Sequence, residues 1–216
     1  RGFKNDVMTT EEIHSYLKQF KSSKISPHKI PKIYNTKPLV NDNIQLPIDP
    51  YVLGCWLSDG HKSDGKITNK DDEIWNEIEK RGYELGKDVS QGGAGKAKTR
   101  TIFGLSIELR KIGLLGNKHI PEIYLNASFE QRLDLLRGLM DTDGYYNKSR
   151  NRFVMSTTQE WKARATKIIA SSLGFKTTTI KSSRKCNNCK NKKEFNKIDI
   201  AFTGDINPFL IKHTSI

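Results

Sequence analysis

Val52-Leu53-Gly54-Cys55-Trp56-Leu57-Ser58-Asp59-Gly60 and Leu136-Arg137-Gly138-Leu139-Met140-Asp141-Thr142-Asp143-Gly144 are two copies of one pattern. Each is a mostly apolar helical run with Gly third, a small residue seventh, and Asp-Gly at its end. Gly54 and Ser58, like Gly138 and Thr142, stand four residues apart and so share one helix face. Two such faces predict a close approach of two helix backbones, as in packed small-xxx-small helices. Gly60 and Gly144 are then expected at helix ends, in the left-handed conformation that glycine adopts without steric cost.

The aspartates run against helix electrostatics. A carboxylate in the last turn meets the negative end of the macrodipole, at a cost of up to about 1 kcal/mol. Packing the two helices together brings Asp59 near Asp143 and adds like-charge repulsion. A cation there would offset both penalties. Oxygen ligands alone, the two carboxylates with Gly60 and Gly144 at the helix ends, favour Mg²⁺, with Ca²⁺ or Mn²⁺ as substitutes.

The two stretches resemble the paired signature motifs of single-chain LAGLIDADG homing endonucleases, above all those carried inside inteins. The resemblance implies an α/β (α+β) protein of two pseudo-symmetric αββαββα halves, with a DNA-binding saddle of two antiparallel sheets. The segments would be a basic preface at 1–45, a first half at 46–116 and a second half at 117–216. It also implies Asp59 and Asp143 as metal-holding catalytic residues. Lys118, just before Ile120-Pro121, matches a catalytic lysine of the family. The second half should supply its own basic residue after its hairpin. Counting the same spacing past Gly204 runs beyond Ile216, which leaves Lys212 as the nearest substitute. Asp141, matched by Leu57 in the first motif, is not expected to be an essential ligand. Neither an N-terminal Cys or Ser nor a C-terminal His-Asn pair is present, so a nuclease segment apart from any splicing domain, or a free-standing relative, is the expectation.

Composition points the same way. The 216 residues hold 37 Lys+Arg against 24 Asp+Glu, a net charge of +13, which favours a polyanionic partner over a merely solvated surface. No apolar run reaches about 18 residues, so no membrane helix is expected. Three cysteines, an odd count, argue against a disulfide framework and for a reducing, intracellular setting in cytoplasm or nucleus. Cys186-Asn187-Asn188-Cys189 lacks a second ligand pair and reads as a hairpin loop rather than a zinc site. Cys55 reads as a small core residue.

Local signals place the elements. Thr10-Glu11-Glu12-Ile13 opens a short helix, among lysines 18, 21, 24, 29 and 32, that either packs on the main body or touches DNA. Asp49-Pro50 caps the first motif helix, and Ser128 with Gln131 makes a capping box for the second. After Gly60 come a strand at 66–69, an amphipathic helix ending near Gly82, a hairpin over 86–106 with a Gly-rich tip at 91–95, and a helix at 107–115. After Gly144 come strands at 145–148 and 152–157, a helix at 159–173 stopped by Gly174, a hairpin over 175–202, and a short final segment at 207–212.

Period two puts Lys96, Lys98 and Arg100 on one strand face, Arg150 with Arg152 on another, and Thr177, Thr179 and Lys181 on a third, with Arg184 beyond. These are the candidate DNA contacts, lining a concave sheet surface in each half. The function expected is a monomeric, site-specific endonuclease making a staggered double-strand break in a long, pseudo-palindromic duplex. The alternative is a relative that binds DNA, or an intron RNA as a maturase, without cutting. An EF-hand reading of Asp141–Gly144 fails for want of further calcium-loop acids.

Overall fold

The computed structural model describes residues 7–19, 36–90, 96–185 and 194–211. The Gly-rich tip, the two cysteines at 186 and 189, the lysines at 21, 24, 29 and 32, and Lys212 lie outside them. The chain divides into two compact units, 1–35 and 36–216. In the first, α1 (Thr10–Gln19) is capped one residue earlier than expected. The Thr9 hydroxyl accepts from the Glu12 N–H at 3.2 Å, and the Glu12 carboxylate accepts from the Thr9 N–H at 2.7 Å.

The second unit is built on α2 (Pro50–Asp59) and α6 (Phe129–Asp143). Both caps form as the sequence dictates. The Asp49 carboxylate accepts from the N–H groups of Tyr51 and Val52, and Ser128 and Gln131 close a reciprocal box. The helices cross where the glycines meet. A Cβ added to Gly54 would lie 2.5 Å from the Leu135 oxygen and 2.9 Å from the Gly138 Cα. One added to Gly138 would land on the Tyr51 carbonyl oxygen. Only hydrogen leaves room for this contact.

The terminal glycines serve a different purpose from the one expected. Gly60 (φ −75°, ψ 152°) and Gly144 (φ −91°, ψ 162°) are extended, not left-handed. Gly144 opens β3 and Gly60 forms a single bridge to Ile67, while the Gly60 and Gly144 N–H groups still donate to the Trp56 and Met140 carbonyls. A Cβ at Gly60 would strike the Trp56 ring and one at Gly144 would come within 2.6 Å of the Met140 oxygen. Close approach, not backbone sign, selects glycine here.

The fold is α+β, with two antiparallel sheets. The first half runs α2, β1 (Lys66–Asn69), α3 (Asp72–Lys80), β2 (Lys98–Thr101), α4 (Leu105–Lys111). Its sheet has two strands, extended by single bridges from Gly60 to Ile67 and from Leu85 to Ile102, so the first hairpin arm is thinner than expected. After the short helix α5 (Glu122–Leu125), the second half runs α6, β3 (Gly144–Asn147), β4 (Arg152–Thr157), α7 (Glu160–Ser172), β5 (Lys176–Lys185), β6 (Glu194–Thr203). Its strand order is β3-β4-β6-β5. The bridges of the first half follow the same order, so each half repeats one plan. The short closing segment of the second half, through Ile211, holds no helix.

The connector at 36–48 is a strap laid along the second half. The Leu39 N–H donates to the Ser172 oxygen at 2.9 Å, and Gln131 exchanges hydrogen bonds with the backbone of Ile44. Arg132, fully buried, donates to the carbonyls of Ala127, Ser172 and Leu39 and ties strap, α6 and α7 together.

Arg81 ties one half to the other. Its guanidinium reaches Asp49 and Asp134 at 3.0 Å and Glu77 at 3.1 Å, and lies 4.6 Å over the Tyr51 ring. Arg81→Met removes the cation shared by Asp49, Asp134 and Glu77, leaving Asp134 with Arg137, Glu77 with Lys80 and Asp49 with its capping N–H groups. It is expected to cost about 2 kcal/mol, read as a lower urea midpoint at unchanged slope.

Candidate active site and nucleic-acid face

Asp59 and Asp143 end the two motif helices side by side, close enough that the charge of Asp143 acts on Asp59. Burial pushes the Asp59 carboxyl above its ordinary pKa, and the charge of Asp143 adds to this. Against them work the Asn69 amide, which donates to the Asp59 carboxylate at 2.6 Å, and the lysines at 162 and 118.

Each helix end has a lysine in place. The Lys118 ammonium donates to the carbonyls of Trp56 (2.8 Å), Leu57 (3.3 Å) and Gly60 (2.6 Å), which neutralises the negative end of α2. It also sits 4.6 Å over the Trp56 ring. Lys162, on α7, forms an ion pair with Asp143 with its side chain only 6% exposed. The penalty that two aspartates in last turns incur is therefore offset in part by the protein's own ammonium groups.

Lys162 and Asn69 escaped the sequence reading. Asn69 falls on the same strand face as buried Ile67, and a polar residue there needs an internal partner. Lys162 lies on the buried stripe of α7 with Thr166, Ile169, Ala170 and Leu173. A lysine on an apolar stripe is the signal that identifies it.

Two carboxylates with only oxygen donors suit Mg²⁺, which keeps several of its waters when bound. Among the described residues no group of three or more His, Cys, Asp or Glu side chains forms a full cage. The Gly60 carbonyl, expected as a ligand, accepts from the Lys118 ammonium at 2.6 Å. Gly144 opens β3 opposite Met155. Asp141 is a structural anchor: its buried carboxylate accepts from the Tyr51 hydroxyl at 3.0 Å and from the N–H groups of Leu210 and Ile211.

Burial, with Lys162 nearby, pushes the Lys118 ammonium down to about 8. The metal-free folded state then binds fewer protons than the unfolded state between pH 8 and about 10.5, so this group's contribution to stability rises with pH through that window and is lost as pH falls toward 8. Wild-type protein is expected to gain thermal stability relative to Lys118→Met across pH 8–10. Parallel melting curves would count against the shift.

The candidate DNA contacts lie mostly on the helix side of their strands. Lys98 bonds Asp72 at the start of α3 at 2.5 Å; Arg100 donates to the Gly86 carbonyl and lies 5.9 Å from the Trp75 ring. Both therefore face the helix layer. Lys96 precedes the strand. In the second half Thr177 meets Ser171, and Lys181 pairs with Glu160, both on α7, which puts Thr179 on that side too. Arg150 ends a 3₁₀ turn and shares no strand with Arg152. Arg184 lies in β5, with its side chain outside the described residues. The open faces carry His61, Lys66, Thr68, Thr99 and Thr101 in one sheet. In the other they carry Arg152, Lys176, Thr178, Ser182 and Lys197, by register with the helix-facing rows. No helix among the described residues is long and apolar enough to cross a membrane.

Replicative DNA helicase DnaB of Mycobacterium intracellulare is 36% identical over 138 residues, 64% of this chain but 21% of that protein. The chain thus spans about a fifth of the length of the curated relative it matches. The crystal structure of I-DmoI in complex with DNA and Mn superposes with a TM-score of 0.44 at 14% identity, covering 73% of this chain and 89% of that one. The N-terminal LAGLIDADG domain of DUF199/WhiA gives 0.41 at 12%, covering 73% and 78%. Residues 130–199, which hold the second motif and most of the four-stranded sheet behind it, match the family model described as a LAGLIDADG-like domain.

Proposed function

We propose that the chain is a site-specific homing endonuclease that makes a staggered double-strand break in a long, imperfectly palindromic DNA target. The observation that carries this reading is the meeting of Asp59 and Asp143 at the paired helix ends, with Lys118 and Lys162 around them. The net charge of +13 and the family match over 130–199 support it. Asp59 and Asp143 would hold Mg²⁺, with Ca²⁺ or Mn²⁺ as substitutes. Such an ion, when bound, makes water more acidic and polarises a phosphate. Asn69 fixes one oxygen of Asp59. Lys118 holds a positive charge beside the carboxylates, where it would stabilise charge developing on the phosphate.

The module acts as a monomer of two halves, 46–116 and 117–216, behind the preface at 1–45, inside the cell where its target DNA lies. An intein origin belongs to the same proposal; it is supported by the paired motifs and by the 36% identity over 138 residues to a replicative DNA helicase.

The test incubates the protein with a duplex library drawn from helicase genes, with Mg²⁺ and with EDTA. Salt-sensitive binding and Mg²⁺-dependent linear product are expected. Binding without product would favour the second reading, a DNA-binding or RNA-maturase relative that does not cut. The engagement of Asp143 by Lys162 is the observation that keeps this second reading in play. Absence of binding would end both.

A further inference from the structure

We propose that Lys162 is a positioning residue: an internal counter-ion that holds the Asp143 carboxylate until a divalent cation displaces it. The proposal deepens the nuclease reading and takes its cation site from it.

The side chain is 6% exposed, and its stem runs along the buried stripe of α7. At the corresponding place on α3, two residues past the helix start, stands fully buried Ile74. Exchanging a buried ion pair for well-packed apolar residues is often neutral or stabilising, so packing alone does not account for a lysine here. What the lysine adds is a positive charge at Asp143, where two carboxylates would otherwise repel across a partly dehydrated seam.

The two halves treat their aspartates differently. Asp59 is held by a neutral amide, and the nearby Lys118 serves carbonyl oxygens. Asp143 is held by a full charge. Two carboxylates and two ammonium groups balance, so a divalent cation entering the cluster leaves two excess positive charges. The ammonium of Lys162 must then give up its oxygen. Cation binding at Asp143 is therefore weaker than at Asp59 and is coupled to movement of the Lys162 head group.

The test is a Ca²⁺ titration by calorimetry on DNA-free wild type, Lys162→Met, Asp143→Asn and the double variant, each checked for folding by circular dichroism. Lys162→Met is expected to bind Ca²⁺ at least about tenfold tighter than wild type, a difference of about 1.4 kcal/mol. The gain should vanish on the Asp143→Asn background. In the wild type, the Lys162 ammonium resonance in a ¹⁵N-detected spectrum should move on adding Ca²⁺, a readout that stands even where the methionine variant fails to fold. Affinities within twofold of each other, a gain that survives Asp143→Asn, a still resonance, or no Ca²⁺ binding at all would each overturn the proposal. A cycle behaving as expected in a protein that cuts no DNA would instead overturn the nuclease reading and leave this one standing.

Discussion

Gly138→Ala is expected to destabilise the protein by about 3 kcal/mol or more, with Gly54→Ala close behind. Overpacking a core usually costs about 1–3 kcal/mol because side chains move aside. Here the obstacles are backbone: the Tyr51 oxygen, the Cys55 nitrogen and the Gly54 Cα around Gly138, and the Leu135 oxygen and Gly138 Cα around Gly54. Relief requires the two central helices to separate, and with them the buried side chains of the seam, Leu53, Leu57, Leu135 and Leu139 among them. Against a total stability of about 5–15 kcal/mol, the loss is visible as a large fall in the urea midpoint. Gly82→Ala is the control. Gly82 has φ +85° and nothing within 4 Å of an added Cβ, so only backbone strain, about 1 kcal/mol, is at stake. Equal effects at Gly82 and Gly138 would refute the close-packing account.

Asp59→Asn and Asp143→Asn are each expected to lower Mg²⁺-dependent cleavage by about 10³-fold or more while leaving duplex binding within a few-fold. Removing an anionic ligand takes away charge stabilisation worth about 3–4 kcal/mol in the transition state. The two variants should part company in stability. Asp59→Asn keeps an acceptor for the Asn69 amide and removes the repulsion from Asp143, so its melting temperature should equal or exceed the wild type's. Asp143→Asn strips the nearly buried Lys162 ammonium of its anion and should cost about 2–4 kcal/mol. Equal stabilities for the two would mean that the Lys162–Asp143 pair carries little weight in the folded protein.

Much was legible in the chain because its causes are local or repeated. Asp49-Pro50 and Ser128-x-x-Gln131 fix helix starts through their own hydrogen bonds. Glycine three places into two matching apolar runs specifies a backbone contact that no other residue permits. Those runs also carry their aspartates to one place.

What tertiary structure decided was which side each strand shows and which lysine reaches which oxygen. In Lys176-Thr177-Thr178-Thr179-Ile180-Lys181 polar residues fall on both faces, so parity comes only from pairing with Ile198, Ile200 and Phe202 on β6. A slip of one residue reverses every side chain, and pairing turns Lys98, Arg100, Thr177 and Lys181 toward the helix side. Lys162 on α7 meets Asp143 at the end of α6 within the second half, and Lys118 meets the end of α2 across the two halves; both contacts form only as separate segments pack together. Sequence thus determined the helices, the glycine crossing and the paired aspartates, since backbone sterics and capping act within a few residues. The charges that surround those aspartates were set by packing between distant segments, where burial makes each ammonium find an oxygen.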